Sequence, residues 1–298
     1  MRLLLALLRA VPEGFSRALF TGLASLAFSL GIRRRVALEN LAVAFPEKSG
    51  DERVALAREN YLHLGRSAAE FLRSPALTDE ELFARIDPGG YEEVVGHIAK
   101  TGCIVATAHL GNFELFGAWA ARRGVALTIV TRRLKGSANR GWTGTRGESG
   151  VKELHSGAAS FVKLLRAKQG LAILIDQNML PKRAVFAPFF GRLAATTPAP
   201  AVLSERTGAP VMLALLVKQD DGRYRVHLEG PFHFERTGAG RQADVLRFTA
   251  LLNARLEAQV RAHPAQWFWV HRRFKTRPPC EGAPGPARPA LTGDPKTP

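Results

Sequence analysis

Three short apolar runs, each ending on polar or charged residues, constrain this chain more than any other feature. Residues 103–108 (CIVATA) lead into His109. Residues 125–131 (VALTIVT) lead into Arg132 and Arg133, and residues 171–175 (LAILI) into Asp176 and Gln177. Runs of this length and composition read as buried strands. Segments with apolar residues at helical spacing separate them: Phe113, Phe116, Gly117 and Ala120 in one, Phe161, Leu164 and Leu165 in the next. Strands alternating with helices argue for an α/β fold, a largely parallel central sheet with helices on both faces. Ligands of such sheets bind beyond the carboxyl ends of the strands. A base (His109), cations (Arg132, Arg133) and a carboxylate with its neighbour (Asp176, Gln177) are therefore expected along one edge.

His109 stands where a strand hands over to a helix, and Glu114 falls in that helix's first turn. Residues five apart on a continuous helix point about 140° from each other. The two side chains meet only if His109 precedes the helix and Gly111 and Asn112 turn the chain, which these residue types allow. A carboxylate so placed would orient an imidazole able to take a proton from a hydroxyl. On spacing alone, a hydrogen-bonded structural histidine is the commoner outcome. Three chemically useful strand ends together favour a site.

The rest of the chain divides around this centre. Residues 1–35 read as an N-terminal membrane-anchoring helical segment. Residues 18–32 are uncharged and are followed by Arg33, Arg34 and Arg35. The run is shorter than the roughly 20 residues that cross a bilayer comfortably. Thr21, Ser25 and Ser29 form a small polar stripe opposite Leu19, Leu23, Leu26 and Leu30, a pattern suited to packing on protein or lying in the interface. The basic triplet after the apolar run suits anionic head groups and not a cleaved signal peptide. Residues 36–277 are one catalytic domain. In it, 40–46 read as a connector, 51–73 as a long amphipathic helix, and Thr78 with Glu81 as a capping box. Residues 91–100 read as a helix, 135–150 as a Gly- and Arg-rich loop containing Trp142, and 156–169 and 198–207 as helices. Residues 210–218 and 224–229 are expected to pair across Asp220, Asp221 and Gly222, before a last long helix over 241–262. Residues 278–298, rich in Pro, Gly and Ala, are expected to be disordered.

Charge narrows the partners. Against 26 Asp+Glu stand 42 Lys+Arg, a net +16, which favours polyanions: nucleic acid, anionic lipid or acidic protein. The basic residues flank the anchor and the strand ends and do not line one recognition helix, and no nucleic-acid-binding signature appears. A nucleic-acid-binding protein is thus the remote alternative. Gly147-Glu148-Ser149-Gly150 lacks the second glycine of a serine-esterase elbow. The two cysteines, Cys103 and Cys280, form no C-x-x-C, so no metal or disulfide framework is indicated. No cofactor is implied.

Several motifs then resemble one family. HLGNFE at 109–114 resembles the H-x4-D/E box of the lysophospholipid acyltransferase superfamily, in the version of the lipid A biosynthesis (late, secondary) acyltransferases. Asn40-Leu41 with Phe45-Pro46, Asp176-Gln177, PFFGR at 188–192 with Thr196 or Thr197, and PAQWFWVHRRF at 264–274 are similar to that family's other signatures. The resemblance implies a glycerolipid-acyltransferase-like fold at the cytoplasmic face of the inner membrane. It implies transfer of a fatty acyl group from acyl carrier protein to a hydroxyl of a lipid A precursor. His109 would be the general base, with Glu114 holding its tautomer and charge and no acyl-enzyme formed. Backbone N–H groups around Gly111 and Asn112 would support the oxyanion. Arg132 or Arg133 would bind acceptor phosphate or stabilise charge, with Asp176 fixing that arginine, and Arg272 and Arg273 would bind substrate. The same chemistry on a lysophospholipid, an ornithine lipid or a phosphoinositide mannoside is the close alternative. Trp267 and Trp269 admit two readings, an interfacial belt or a final strand packed in the core.

Overall fold

The computed structural model describes residues 2–131, 137–155 and 157–278. Three helices open the chain, α1 (Arg2–Ala10), α2 (Glu13–Ser29) and α3 (Arg34–Ala44). The expected connector at 40–46 is thus mostly the end of α3. The long α4 (Gly50–Arg73) follows, started by a complete capping box between Ser49 and Glu52. The Thr78–Glu81 box likewise starts α5 (Asp79–Ala84). Each box satisfies two otherwise orphaned amide groups of a helix start.

The sheet is built from β1 (Ile86–Asp87), β2 (Cys103–Thr107), β3 (Leu127–Val130), β4 (Lys152–Leu154) and β5 (Gly170–Leu174), joined by two later strands. Between these strands run α6 (Glu92–Thr101), α7 (Phe113–Arg122), α8 (Ser137–Glu148) and α9 (Ala158–Arg166). A hairpin of β6 (Val185–Phe189) and β7 (Arg192–Thr196) stands apart from the main sheet. Then come α10 (Ala199–Thr207), β8 (Val211–Lys218), β9 (Tyr224–Phe232) and α11 (Arg241–Ala262). The seven-stranded order is β1-β9-β8-β2-β5-β3-β4. All neighbours pair in parallel except β8 with β9, which form the expected antiparallel pair.

Alternation along β2 shows why both faces are covered. Successive side chains of a strand point to opposite faces. Ile104 and Ala106 join one apolar cluster, with α3, α4, α10 and α11, while Cys103 and Val105 join the other, with α6 and α7. Every residue of β2 is buried, as expected of a central parallel strand.

Two expectations give way. Residues 137–148 form α8 where a loop was read, and 185–196 form a hairpin that the sequence reading passed over. Gly141, Gly144 and Gly147 each cost about 1 kcal/mol relative to Ala in a helix, so local propensity argues against α8. Tertiary contacts override it: Trp142 packs on Phe71 with ring centroids 5.1 Å apart, and Thr145 is fully buried.

At the N-terminus α2 lies along α4, and Gly65 lets the two backbones approach, because a Cβ there would sit 2.6 Å from the Phe20 carbonyl oxygen. The opposite side of α2 exposes Leu19, Leu23, Leu26 and Leu30. Among the described residues no single helix is long and apolar enough to cross a membrane.

Candidate active site

The register of β2 against β5 builds the centre of the site. Thr107 pairs with Leu174 in parallel, so the residues two further on, His109 and Asp176, leave the sheet side by side. The Asp176 carboxylate receives the His109 ring at Nδ1, 2.8 Å away, and the His109 backbone N–H, also at 2.8 Å. The Trp267 indole donates to it as well, at 2.8 Å. Asp176 is buried, which alone would raise its pKa. The His109 charge and the hydrogen bonds from His109 and Trp267 outweigh burial and hold the carboxyl below the usual range. With an ionised carboxylate on Nδ1, that nitrogen carries the proton and Nε2 is left as the acceptor. The Gln177 amide lies 3.1 Å from Nε2 and marks the direction of its lone pair.

Glu114 does not reach His109, which corrects the expected pairing. Asn112 caps α7 by accepting from the Leu115 amide, so the helix begins at Phe113 and Glu114 leaves it on another side. The Phe113 ring occupies the space against His109, with ring centroids 4.5 Å apart. The Glu114 carboxylate is taken by Arg146 (Nε to Oε2, 2.7 Å) and by the Trp142 indole at 2.5 Å. Arg146 also bonds Glu153 at 2.7 Å. Burial would lower its pKa, and the two glutamates raise it instead. Glu114 thus fastens α8 to α7, and Arg146 carries the tie on to β4 through Glu153.

The expected oxyanion donors are also engaged elsewhere. The Gly111 N–H donates to the Gln266 carbonyl and the Asn112 N–H to the Leu216 carbonyl, both at 3.0 Å. Gly111 has a positive φ of 64° and presses against the Leu216 carbonyl, where no side chain fits. The first-turn amides without an intrahelical partner are those of Phe113 and Glu114. Asp176 fixes a histidine and not an arginine; Arg132 and Arg133 lie outside the described residues. Arg273 is fully buried and donates to the Ala195 carbonyl (2.8 Å) and Thr196 Oγ1 (2.6 Å), with burial lowering its pKa to about 10. It holds the β6–β7 hairpin and cannot meet a ligand. Arg272 is exposed. Trp267 and Trp269 are buried as the core reading expected, but in an irregular segment and not a strand.

Sequence reasoning missed the scaffold behind the loop. Asn60, His63, Ser67 and Glu70 form a buried or half-buried polar stripe on one face of α4. Asn60 donates to the Ala265 and Trp267 carbonyls, and His63 Nε2 faces the Gly111 carbonyl at 3.2 Å. The Asn112 amide reaches the Ser67 carbonyl (3.3 Å) and Glu70 (3.2 Å), and Glu70 also receives Tyr224 and Lys218. The 3-4-3 spacing of polar residues was the available signal: these positions share one face.

A cavity of about 40 Å³ lies beside Phe113, between α7 and the sheet, with Val105, Phe116, Gly117 and Ile129 among its apolar walls and Glu114 and Arg146 at its polar part. Cys103 faces no nucleophilic role: it is buried and its thiol is pushed up to about 12.

A largely parallel sheet carrying an imidazole–carboxylate pair on its carboxyl edge, next to an apolar cavity, is equipped for general-base chemistry in an α/β fold. The family profile described as bacterial lipid A biosynthesis acyltransferase matches residues 2–276, and the chain belongs to that family. It is 28% identical over 260 residues to the lipid A biosynthesis palmitoleoyltransferase of Escherichia coli K12, covering 84% of this chain and 81% of that one. It is 26% identical to the lipid A biosynthesis lauroyltransferase of the same organism, over 88% of this chain and 85% of that one. The phosphatidylinositol mannoside acyltransferase of Mycobacterium tuberculosis H37Rv is 27% identical, over 89% and 84%.

Proposed function

We propose that this protein moves a fatty acyl chain from the thioester of acyl carrier protein to a hydroxyl of a lipid A precursor, at the cytoplasmic face of the inner membrane. The observation that carries the reading is the His109–Asp176 pair, a tethered ring whose Nε2 is its acceptor nitrogen, met in this structure by the Gln177 amide. Nε2 takes the proton of the acceptor hydroxyl as its oxygen attacks the thioester carbonyl. The tetrahedral intermediate expels the carrier thiolate, which recovers that proton from the imidazolium. Asp176 stabilises the imidazolium between these steps. The amides of Phe113 and Glu114, at the positive end of α7, suit the developing oxyanion. Glu114 serves by fastening α8 through Arg146 and Trp142. The acyl chain would start in the apolar cavity under Phe113. At about 40 Å³ that cavity has room for a few waters and not for a fatty chain, so chain entry requires its walls to separate.

The exposed leucines of α2, followed by Arg33, Arg34 and Arg35, support a helix lying in the bilayer interface with cations at head-group depth. A second acceptor, a phosphatidylinositol mannoside, is favoured by the relatives of that name at similar coverage. Mass spectrometry of membrane lipids from a strain lacking the protein tests both. Loss of one acyl chain from lipid A is expected; an unchanged lipid A profile would refute the first reading, and a change confined to another lipid would replace it. Purified protein given the acyl chain on carrier protein or on coenzyme A then decides the donor.

A further inference from the structure

Next to the catalytic loop is an open groove of about 570 Å³ between α3 and the segment after α11, lined by Asn40, Val43, Arg192, Arg272, Lys275 and Glu39. Arg192, Arg272 and Lys275 are exposed, and none forms an ion pair with a described residue. Glu39, the one carboxylate in the wall, is bonded by Arg35 at 2.8 Å. Among the described residues, three uncommitted cations therefore face a groove whose one carboxylate is already paired.

Arg272 is aimed there by its neighbours. Asn40 Nδ2 donates to the Trp269 carbonyl (2.7 Å) and the His271 carbonyl (2.6 Å). His271 Nε2 accepts from the Asn178 amide at 2.9 Å, and Arg273 is anchored inward on Ala195 and Thr196. With the residues on both sides pinned, Arg272 is held outward over the groove. The same segment leads back to the catalytic pair: the Asn178 N–H that His271 accepts follows Gln177, whose amide lies 3.1 Å from His109 Nε2.

We propose that this groove binds a phosphate group of the acceptor lipid, with Arg192 and Arg272 as its ligands and Lys275 beside them. The inference rests on the acyl-acceptor reading above and assigns the place where the acceptor's phosphate is held. A guanidinium fork matches phosphate oxygens bidentately and stays charged at every physiological pH. A lipid headgroup held there by its phosphate keeps its sugar hydroxyls free for Nε2.

The test compares wild type with Arg272→Ala, Arg192→Ala and the double variant on a phosphorylated glycolipid acceptor and on the same lipid after phosphatase treatment. Charge-assisted contacts of this kind correspond to about a tenfold rise in acceptor KM for each single variant and more for the double. The KM for the acyl thioester and the kcat at saturating acceptor are expected within about twofold of wild type, by the same reasoning that only ground-state acceptor binding is touched. On dephosphorylated lipid the variants should match wild type. An equal loss on both lipids would overturn the proposal. So would a loss mirrored by weaker flotation with phosphatidylglycerol vesicles, which would make the groove a general contact for anionic bilayers. Equilibrium binding of the two lipids in detergent micelles, read without turnover, separates this inference from the acyl-transfer reading. Arg272-dependent binding without transfer to any glycolipid would refute the transfer reading and leave the groove standing.

Discussion

The carboxylate that matters to His109 is 67 residues away in the chain and one strand away in the sheet. Asp176→Asn keeps the shape but offers Nδ1 a neutral amide, so the ring can take the wrong tautomer. Loss of the same kind in serine hydrolases is about 10⁴-fold in kcat, and a fall of about 10³–10⁴ is expected here with the thermal transition retained. Glu114→Gln acts through α8 and not through the ring. It should lower activity together with the melting temperature, and Arg146→Gln should do the same. Steady-state kinetics alongside thermal unfolding checks both; full activity in Asp176→Asn would end the assignment of the pair. Both residues were legible as candidates because both follow apolar runs. Their partners were not, because adjacency of β2 and β5 is a property of strand order that no local pattern carries. Glu114 was nearer in sequence, and the capping choice at Asn112, which starts the helix one residue before it, turned it away.

At the scale of the element, α4 is the part whose polar face does more than its apolar one suggests. His63 is buried with its pKa lowered by burial from 6.5 to about 4. The unfolded chain therefore takes up this proton first as pH falls. The stability that neutral His63 contributes is fully present above about pH 6.5 and is lost as pH drops toward 4, on the order of 3 kcal/mol across the window. His263 and His271, also lowered by burial, add in the same direction. The difference between wild type and His63→Asn isolates the one residue: melting temperature against pH between 4 and 7 should be flatter in the variant. Because His63 faces the Gly111 carbonyl, kcat should fall while the KM for either substrate holds. Most helices and the central strands were readable from apolar spacing. α8 and the β6–β7 hairpin were not, since the first is glycine-rich and the second depends on Arg273 and Asn253 reaching in from distant segments.

Across the whole molecule, one side of α2 presents leucines while the opposite side packs on α4. Leu23 and Leu26 are each 54% exposed. Burying such a side chain in hydrocarbon is worth about 1.5–3 kcal/mol, so Leu23→Asp with Leu26→Asp should reduce flotation with anionic vesicles at least about tenfold. Turnover on detergent-dispersed substrates should persist, since neither side chain touches the α4 stripe or the loop. Undiminished flotation would remove α2 as the attachment surface. The indole of Trp267 adds a constraint of another kind. It completes Asp176's hydrogen bonds from a segment that follows every helix and strand of the fold. As a ribosome releases this chain, that indole emerges after every helix and strand, so the base lacks its full support until then. Because Trp269 and Arg273 follow it into the core, a product cut short before residue 267 should be both chemically silent and less stable than the full protein.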